Sequence, residues 1–160
     1  MTNYTFTTAT HNDLPTLMNL YRSLVGQPGC TWSLDYPNEE IITEDITNQS
    51  LYLLKDSGTI IAVAAIIVVE EFNHLPLTIK NPCDLARIGV VQPMQGKGVG
   101  KLILHNVVEE AKRKGYGGIR LLVSKTNPAA IALYANNGFT HCGETFMFDI
   151  DWFCYQLAFD

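Results

Sequence analysis

Gln95-Gly96-Lys97-Gly98-Val99-Gly100 is the stretch that decides how this 160-residue chain is read. An apolar run, Leu85 to Val91, stands before it and reads as a strand. Behind it, Val99, Leu102, Ile103, Val107 and Ala111 recur at helical spacing, which predicts a helix over Gly98 to Lys114. Lys112, Arg113 and Lys114 favour the negative end of that helix, and Gly115 and Gly117 stop it. Glycines between a strand and a helix let the backbone turn until several N–H groups converge, and the helix start adds its positive end. Such a nest suits a phosphate or pyrophosphate, with Lys97 and Lys101 close by. A tight strand-to-helix turn would need the same glycines, so the cluster alone does not decide.

Two familiar phosphate motifs are excluded. Walker A needs Ser or Thr after its Gly-Lys, and Gly98 follows Gly96-Lys97. The dinucleotide fingerprint needs a third glycine where Lys101 stands.

Working outward, Tyr4 to Thr8 reads as a strand, and Asn12 or Asp13 caps a helix carrying Leu14, Leu17, Met18, Tyr21, Leu24 and Val25. A short helix is expected over residues 38–49. Leu51 to Lys55 and Thr59 to Val69 read as a hairpin turning at Asp56-Ser57-Gly58. The second of those strands is almost wholly apolar, so it is central and covered on both faces. Glu70 to Pro82 reads as a loop. After the glycine segment come a strand, Ile119 to Ser124, and a helix, Pro128 to Asn136, opened by Asn127 and broken at Gly138. Phe139 to Phe148 and Trp152 to Phe159 close the chain as paired strands. The order β-α-α-β-β-β-α-β-α-β-β implies helices on both faces of one sheet, a three-layer α/β domain over residues 1–160.

Charge adds a clue. The net charge of -5 disfavours general binding to nucleic acid or anionic membranes. Residues 1–80 hold nine acidic and three basic side chains. Between Arg87 and Lys125, eight basic residues face only Glu109 and Glu110. The longest apolar run, Ile60 to Val69, is too short for a membrane-spanning helix. The start lacks the regions of a signal peptide. Cys30, Cys83, Cys142 and Cys154 form no CxxC pair and no zinc-site spacing with histidine, so no metal is expected. A cytoplasmic protein with reduced, mostly core cysteines follows.

Asn127-Pro128-Ala129-Ala130-Ile131-Ala132-Leu133-Tyr134-Ala135-Asn136-Asn137-Gly138-Phe139 is the second informative segment. Taken with the first, it resembles the GNAT superfamily of acyl-CoA-dependent N-acyltransferases. Gln95, Gly98 and Gly100 match that family's pyrophosphate loop; Asn127, Ala130, Leu133, Tyr134, Gly138 and Phe139 match its later motif. One departure is the proline, which stands at Pro93, two residues before Gln95 instead of three, so the approach to the loop is expected to bend differently.

The resemblance implies a mixed, mostly antiparallel central sheet in a three-layer α/β/α fold. It implies acetyl-CoA as cofactor and a primary amine of a small molecule as acceptor. Alternatives are transfer to a protein N-terminus or lysine, and a non-catalytic acyl-CoA sensor. A structural module without CoA affinity would have a blocked nest. By resemblance, the strands at Leu85–Val91 and Ile119–Ser124 splay apart around the pantetheine arm. Val90 and Val91 pair with the arm. Gln95, Gly96, Lys97, Gly98, Val99 and Gly100 hold the pyrophosphate, and Asn127 and Ala130 steady the arm at the helix start. Tyr134 occupies the position of the acid that protonates the departing thiolate, though a half-buried core tyrosine would look the same. The base is less marked: Glu70 or Glu71, at the end of the central strand, is favoured over His74 and Asp84. Acceptor-lining groups are sought among Tyr21, Trp32, Tyr36, Trp152 and Tyr155. Many members of the family are dimers, so a homodimer is admissible, with no interface assigned.

Overall fold

The computed structural model describes residues 3–76 and 78–160. Its strands are β1 (Tyr4–Thr8), β2 (Leu51–Asp56), β3 (Thr59–Ile67), β4 (Pro82–Val90), β5 (Gly118–Ser124), β6 (Thr140–Met147) and β7 (Ile150–Ala158). Its α-helices are α1 (Leu14–Leu24), α2 (Glu39–Thr47), α3 (Val99–Arg113) and α4 (Pro128–Ala135). One seven-stranded sheet runs β1-β2-β3-β4-β5-β7-β6. Every neighbouring pair is antiparallel except β4–β5. The sheet is therefore mixed and mostly antiparallel, as expected.

β3 shows why the sheet needs two covers. Ala62, Val63, Ala64 and Ala65 are all fully buried. Successive strand residues face opposite ways. Ala62 and Ala64 accordingly pack with Val99, Ile103 and Val107 of α3, whereas Val63 and Ala65 pack with Leu17, Tyr21 and Ile42 of α1 and α2. The hairpin before β3 turns through Ser57 (φ 51°) and Gly58 (φ 88°), a two-residue loop whose twist suits the flanking strands.

The boundaries of β3 and β4 differ from expectation, while α1 starts at Leu14 behind the expected Asp13 cap. β3 stops at Ile67 because the Val69 N–H leaves the sheet to donate to Asp84 Oδ2 at 2.7 Å. Residues Glu70–His74 then form a 3-10 turn within the expected loop, and β4 begins at Pro82. Before α1, Asp13 reaches back to the Thr10 N–H (2.8 Å), making a 3-10 turn over His11–Asp13, and the α-helix begins at Leu14. Among the described residues, no helix is long and apolar enough to cross a membrane.

Candidate active site

β4 and β5 pair over only three residues: Pro82 with Gly118, Cys83 with Ile119, and Asp84 with Arg120. Beyond that point β4 continues to Val90 and β5 to Ser124 without pairing, so a gap opens between them. A buried ion pair bolts the branch point. Arg120 Nε donates to Asp84 Oδ1 at 2.7 Å and its Nη2 to Oδ2 at 2.8 Å, with the side chains 3% and 0% exposed. Arg120 also donates to Asn73 Oδ1 and to the Val69 carbonyl, which anchors the turn after β3.

Which backbone groups face the gap follows from strand alternation. The Ile66 N–H donates to Ser50 O and so points away from β4. Antiparallel alternation then turns Asp84 and Ala86 toward β3. Farther along, the Val91 N–H donates to Ile61 O at 2.9 Å, and Gly89 pairs with Val63. The phase changes because Arg87 and Ile88 together stand opposite Ala64, a β-bulge in which Arg87 has φ 49°. Ile88 and Val90 consequently face the gap. Val90 turns its N–H toward the gap. Val91 does not: its N–H is spent on Ile61, and its carbonyl accepts from Met94 N. Ile88 was not singled out in the sequence, because nothing local announces a bulge at a non-glycine residue.

The mouth of the gap carries the glycine nest. Pro93 sits in a 3-10 turn, Gln92–Met94, that absorbs the shifted proline. Gly96 (φ 75°) and Gly98 (φ 82°) are left-handed, and an added Cβ at either would meet nothing within 4 Å. The nest is not blocked by side chains. Among the described residues, the N–H groups of Gly96, Lys97, Gly98, Val99, Gly100 and Lys101 have no protein acceptor. Helix α3 has no side-chain cap. Six unpaired donors, among them those of the first turn of α3, thus lie together just past the end of β4. The Gln95 side chain turns back, donating to Val90 O at 3.0 Å and to Gln27 Oε1 at 3.2 Å.

Ion pairing sharpens the basic stretch. Arg87, Lys112, Arg113, Arg120 and Lys125 are tied to Asp45, Glu109, Glu110, Asp84 and Glu144. Lys97, Lys101 and Lys114 have no carboxylate partner among the described residues, and the first two flank the nest. A cavity of about 450 Å³ leads from the nest along α3, lined by Gly98, Lys101, His105, Asn137 and Leu157. Lys101 and His105 stand one turn apart on its wall.

Asn127 caps α4, its Oδ1 accepting from Ala130 N at 3.1 Å. One side of α4 is closed by the α1–α2 loop, for an added Cβ on Gly29 would come within 2.7 Å of Asn127 Cγ. Trp32 of the same loop covers Gly89 of β4. The tyrosine of this helix, Tyr134, is buried against Phe139, ring centroids 5.6 Å apart. Among the described residues its hydroxyl makes no side-chain hydrogen bond, and its oxygen is not among fully buried, unpaired polar atoms. Burial pushes the phenol above its ordinary range and keeps it protonated.

Glu70 and Glu71 are not brought to this group. Both are exposed, on the turn that follows Val69, and Val69 is bonded to Asp84. Asp84 marks the closed end of the gap, six residues or about 20 Å along β4 from Val90. Tyr155 packs in the α3 and α4 cluster rather than beside Trp32. Cys83 is buried, its Sγ on Gly118 O at 3.5 Å, and burial pushes the thiol up to about 12.

Fold and site together are those of the acyl-CoA N-acyltransferase class. More particularly, the chain belongs to the Acetyltransferase (GNAT) family, whose profile matches residues 17–139. N-acetyltransferase 8 of Rattus norvegicus is 26% identical over 138 residues, covering 81% of this chain and 59% of that protein. The chain thus spans less than two thirds of that curated relative. The ribosomal-protein-S18-alanine N-acetyltransferase of Escherichia coli superposes with a TM-score of 0.73 at 23% identity, covering 98% of this chain and 94% of that one. The PaiA N-acetyltransferase of Thermoplasma acidophilum, solved with coenzyme A, gives 0.74 at 19% identity and covers 98% and 99%.

Proposed function

We propose that this protein transfers an acetyl group from acetyl-CoA to a primary amine of a small molecule. The observation that carries the reading is the nest of six unpartnered N–H groups opening on the β4–β5 gap. The residues fit coenzyme A: donors and two free lysines for the pyrophosphate, an unpaired strand edge for the amides of the arm, and an adjoining cavity for the nucleotide end.

When bound, acetyl-CoA supplies an acyl thioester open to attack by a neutral amine. The chain's own groups act around it. Gly96 to Lys101 fix the pyrophosphate, and Asn127 with Ala130 sets the wall beside the arm. Ile88 and Val90 align the arm, and the Val90 N–H donates to the acyl oxygen, where negative charge develops. As the N–C bond forms and the C–S bond breaks, Tyr134 gives its proton to the departing sulfur. A free thiol titrates near 8.5, so its thiolate is the weaker base, and the hydroxyl serves by hydrogen bonding and donation as charge builds. The acceptor's ammonium loses one proton to water before attack, and the second proton, released from nitrogen as the amide forms, returns through water to the Tyr134 oxygen. No enzyme nucleophile is required, and Cys83, buried and protonated, is not one.

A small acceptor is favoured because loops roof the approach on the α1–α2 side. Trp32 lies on Gly89, and Pro76 of the 70–81 loop comes so close to Gly143 of β6 that an added Cβ there would meet it at 2.5 Å. The same reading takes the protein to be cytoplasmic.

Release of CoA thiol from acetyl-CoA over a panel of amines and peptides, repeated with Tyr134→Phe, tests this. Turnover on small amines, strongly reduced in the variant, is expected. Turnover on peptides alone would move the acceptor to proteins, and CoA binding without turnover on anything would make the protein a sensor.

A further inference from the structure

The gap-facing donors depend on the bulge, and the bulge is held from outside the gap. Without an extra residue opposite Ala64, β4 would keep its first phase. Arg87, Gly89 and Val91 would then face β5, and Ile88 and Val90 would be spent on β3. Arg87 keeps a left-handed backbone, φ 49°, which a side chain of its length adopts only where the surroundings impose it.

Those surroundings come from α1 and α2. The Tyr21 hydroxyl donates to the Arg87 carbonyl at 2.9 Å, holding the carbonyl turned out of the sheet. The Arg87 guanidinium grips Asp45 of α2 with two bonds, Nε to Oδ2 at 2.7 Å and Nη2 to Oδ1 at 2.8 Å. Tyr36 adds a longer contact to Nη1 at 3.3 Å. Tyr21 is 1% exposed and Asp45 5%. Trp32 meets Tyr21 edge-on, centroids 5.1 Å apart, and covers Gly89, the residue between the two donors.

We infer that Tyr21 and Asp45 are positioning residues for acyl transfer: acting through Arg87, they hold the β4 bulge in the phase that presents the Ile88 and Val90 N–H groups to the acyl donor. Neither side chain needs to touch the donor. The inference rests on the proposed acetyl-CoA reading. The nest at Gly96 to Lys101 lies beyond the bulge and, among the described residues, shares no hydrogen bond with Tyr21 or Asp45, so grip on the cofactor and orientation of its carbonyl are separable.

The experiment compares wild type, Tyr21→Phe, Asp45→Asn and Ile46→Val. The last trims the buried core on α2 beside Asp45 without touching the clamp. Acetyl-CoA labelled with carbon-13 at the thioester carbonyl is the probe, read by the carbonyl shift on binding and by titration. Where the panel yields an acceptor, kcat and KM are read as well. The expected result is a bound carbonyl shift in wild type and in Ile46→Val that shrinks in Tyr21→Phe and Asp45→Asn at unchanged acetyl-CoA affinity. With an acceptor, kcat falls about 10- to 100-fold at constant KM for acetyl-CoA, the scale of a small misplacement of reacting groups. Wild-type shift and kcat in both clamp variants would overturn the inference while leaving the cofactor reading intact. So would equal losses in Ile46→Val, which would make the clamp a matter of stability alone. No binding of acetyl-CoA by the wild type would overturn both.

Discussion

Replacing Gly98 by alanine separates the two things the nest does. Gly98 has φ 82°, and an added Cβ there meets nothing within 4 Å. The whole folding cost is therefore conformational, about 1–2 kcal/mol for an L-residue held left-handed. Gly58, in the β2–β3 turn, is a matched control, with φ 88° and nothing within 4 Å. Both variants should lose similar stability, about 2–8 °C in Tm for a chain of this length. Only Gly98→Ala should lose cofactor. If the backbone relaxes toward negative φ, one N–H leaves the phosphate, and a hydrogen bond to a charged group contributes about 1.5–3 kcal/mol. Kd for coenzyme A then rises about 10- to 100-fold or somewhat more. Thermal unfolding and calorimetric titration of both variants make the comparison. Wild-type affinity in Gly98→Ala, or an equal loss in Gly58→Ala, would refute the reasoning.

Tyr134→Phe should lower kcat about 10²- to 10⁴-fold, the range for a positioned acid, with Kd for coenzyme A unchanged; stopped-time assays and titration read the two separately. The pH profile follows from the raised phenol of Tyr134. The working acid form is lost only above the ordinary phenol range near 10, so kcat/KM should climb as the acceptor's ammonium deprotonates and show no descending limb below about pH 10. A fall near pH 8 would assign the acid elsewhere. Asp84→Ala leaves Arg120 buried without its carboxylate, which costs about 3–5 kcal/mol, or about 6–20 °C in Tm. A change within about 2 °C in thermal unfolding would contradict the bolt.

Local signals carried most of this fold. Alternation along β3, the Ser57-Gly58 turn and the Asn127 cap each depend on residues close in sequence, and each appears where it was expected. The glycine nest was legible for the same reason. What escaped depends on contacts far apart in the chain. The bulge at Arg87 is held by Tyr21, 66 residues away, and Asp45, 42 residues away. No feature of Ala86 to Gly89 reveals it, so Ile88 was overlooked and Val91 overvalued. Glu70 and Glu71 were misjudged through strand direction. They follow the central strand, which ends at Ile67, and because β3 runs antiparallel to β4 that end lies beside Asp84 at the closed end of the gap. The local basic excess also overstated the site: five of those eight side chains are paired, and for Arg87, Arg120 and Lys125 the partner is a carboxylate that only the fold brings near.

The most direct measurement of the central claim is an amide NMR titration of the nitrogen-15-labelled protein with coenzyme A. The account predicts saturable shifts at Gly96 to Lys101, with Ile88 and Val90 following, and little change at Glu70 and Glu71. No saturable binding, or shifts confined to residues away from the nest and the β4–β5 gap, would contradict it.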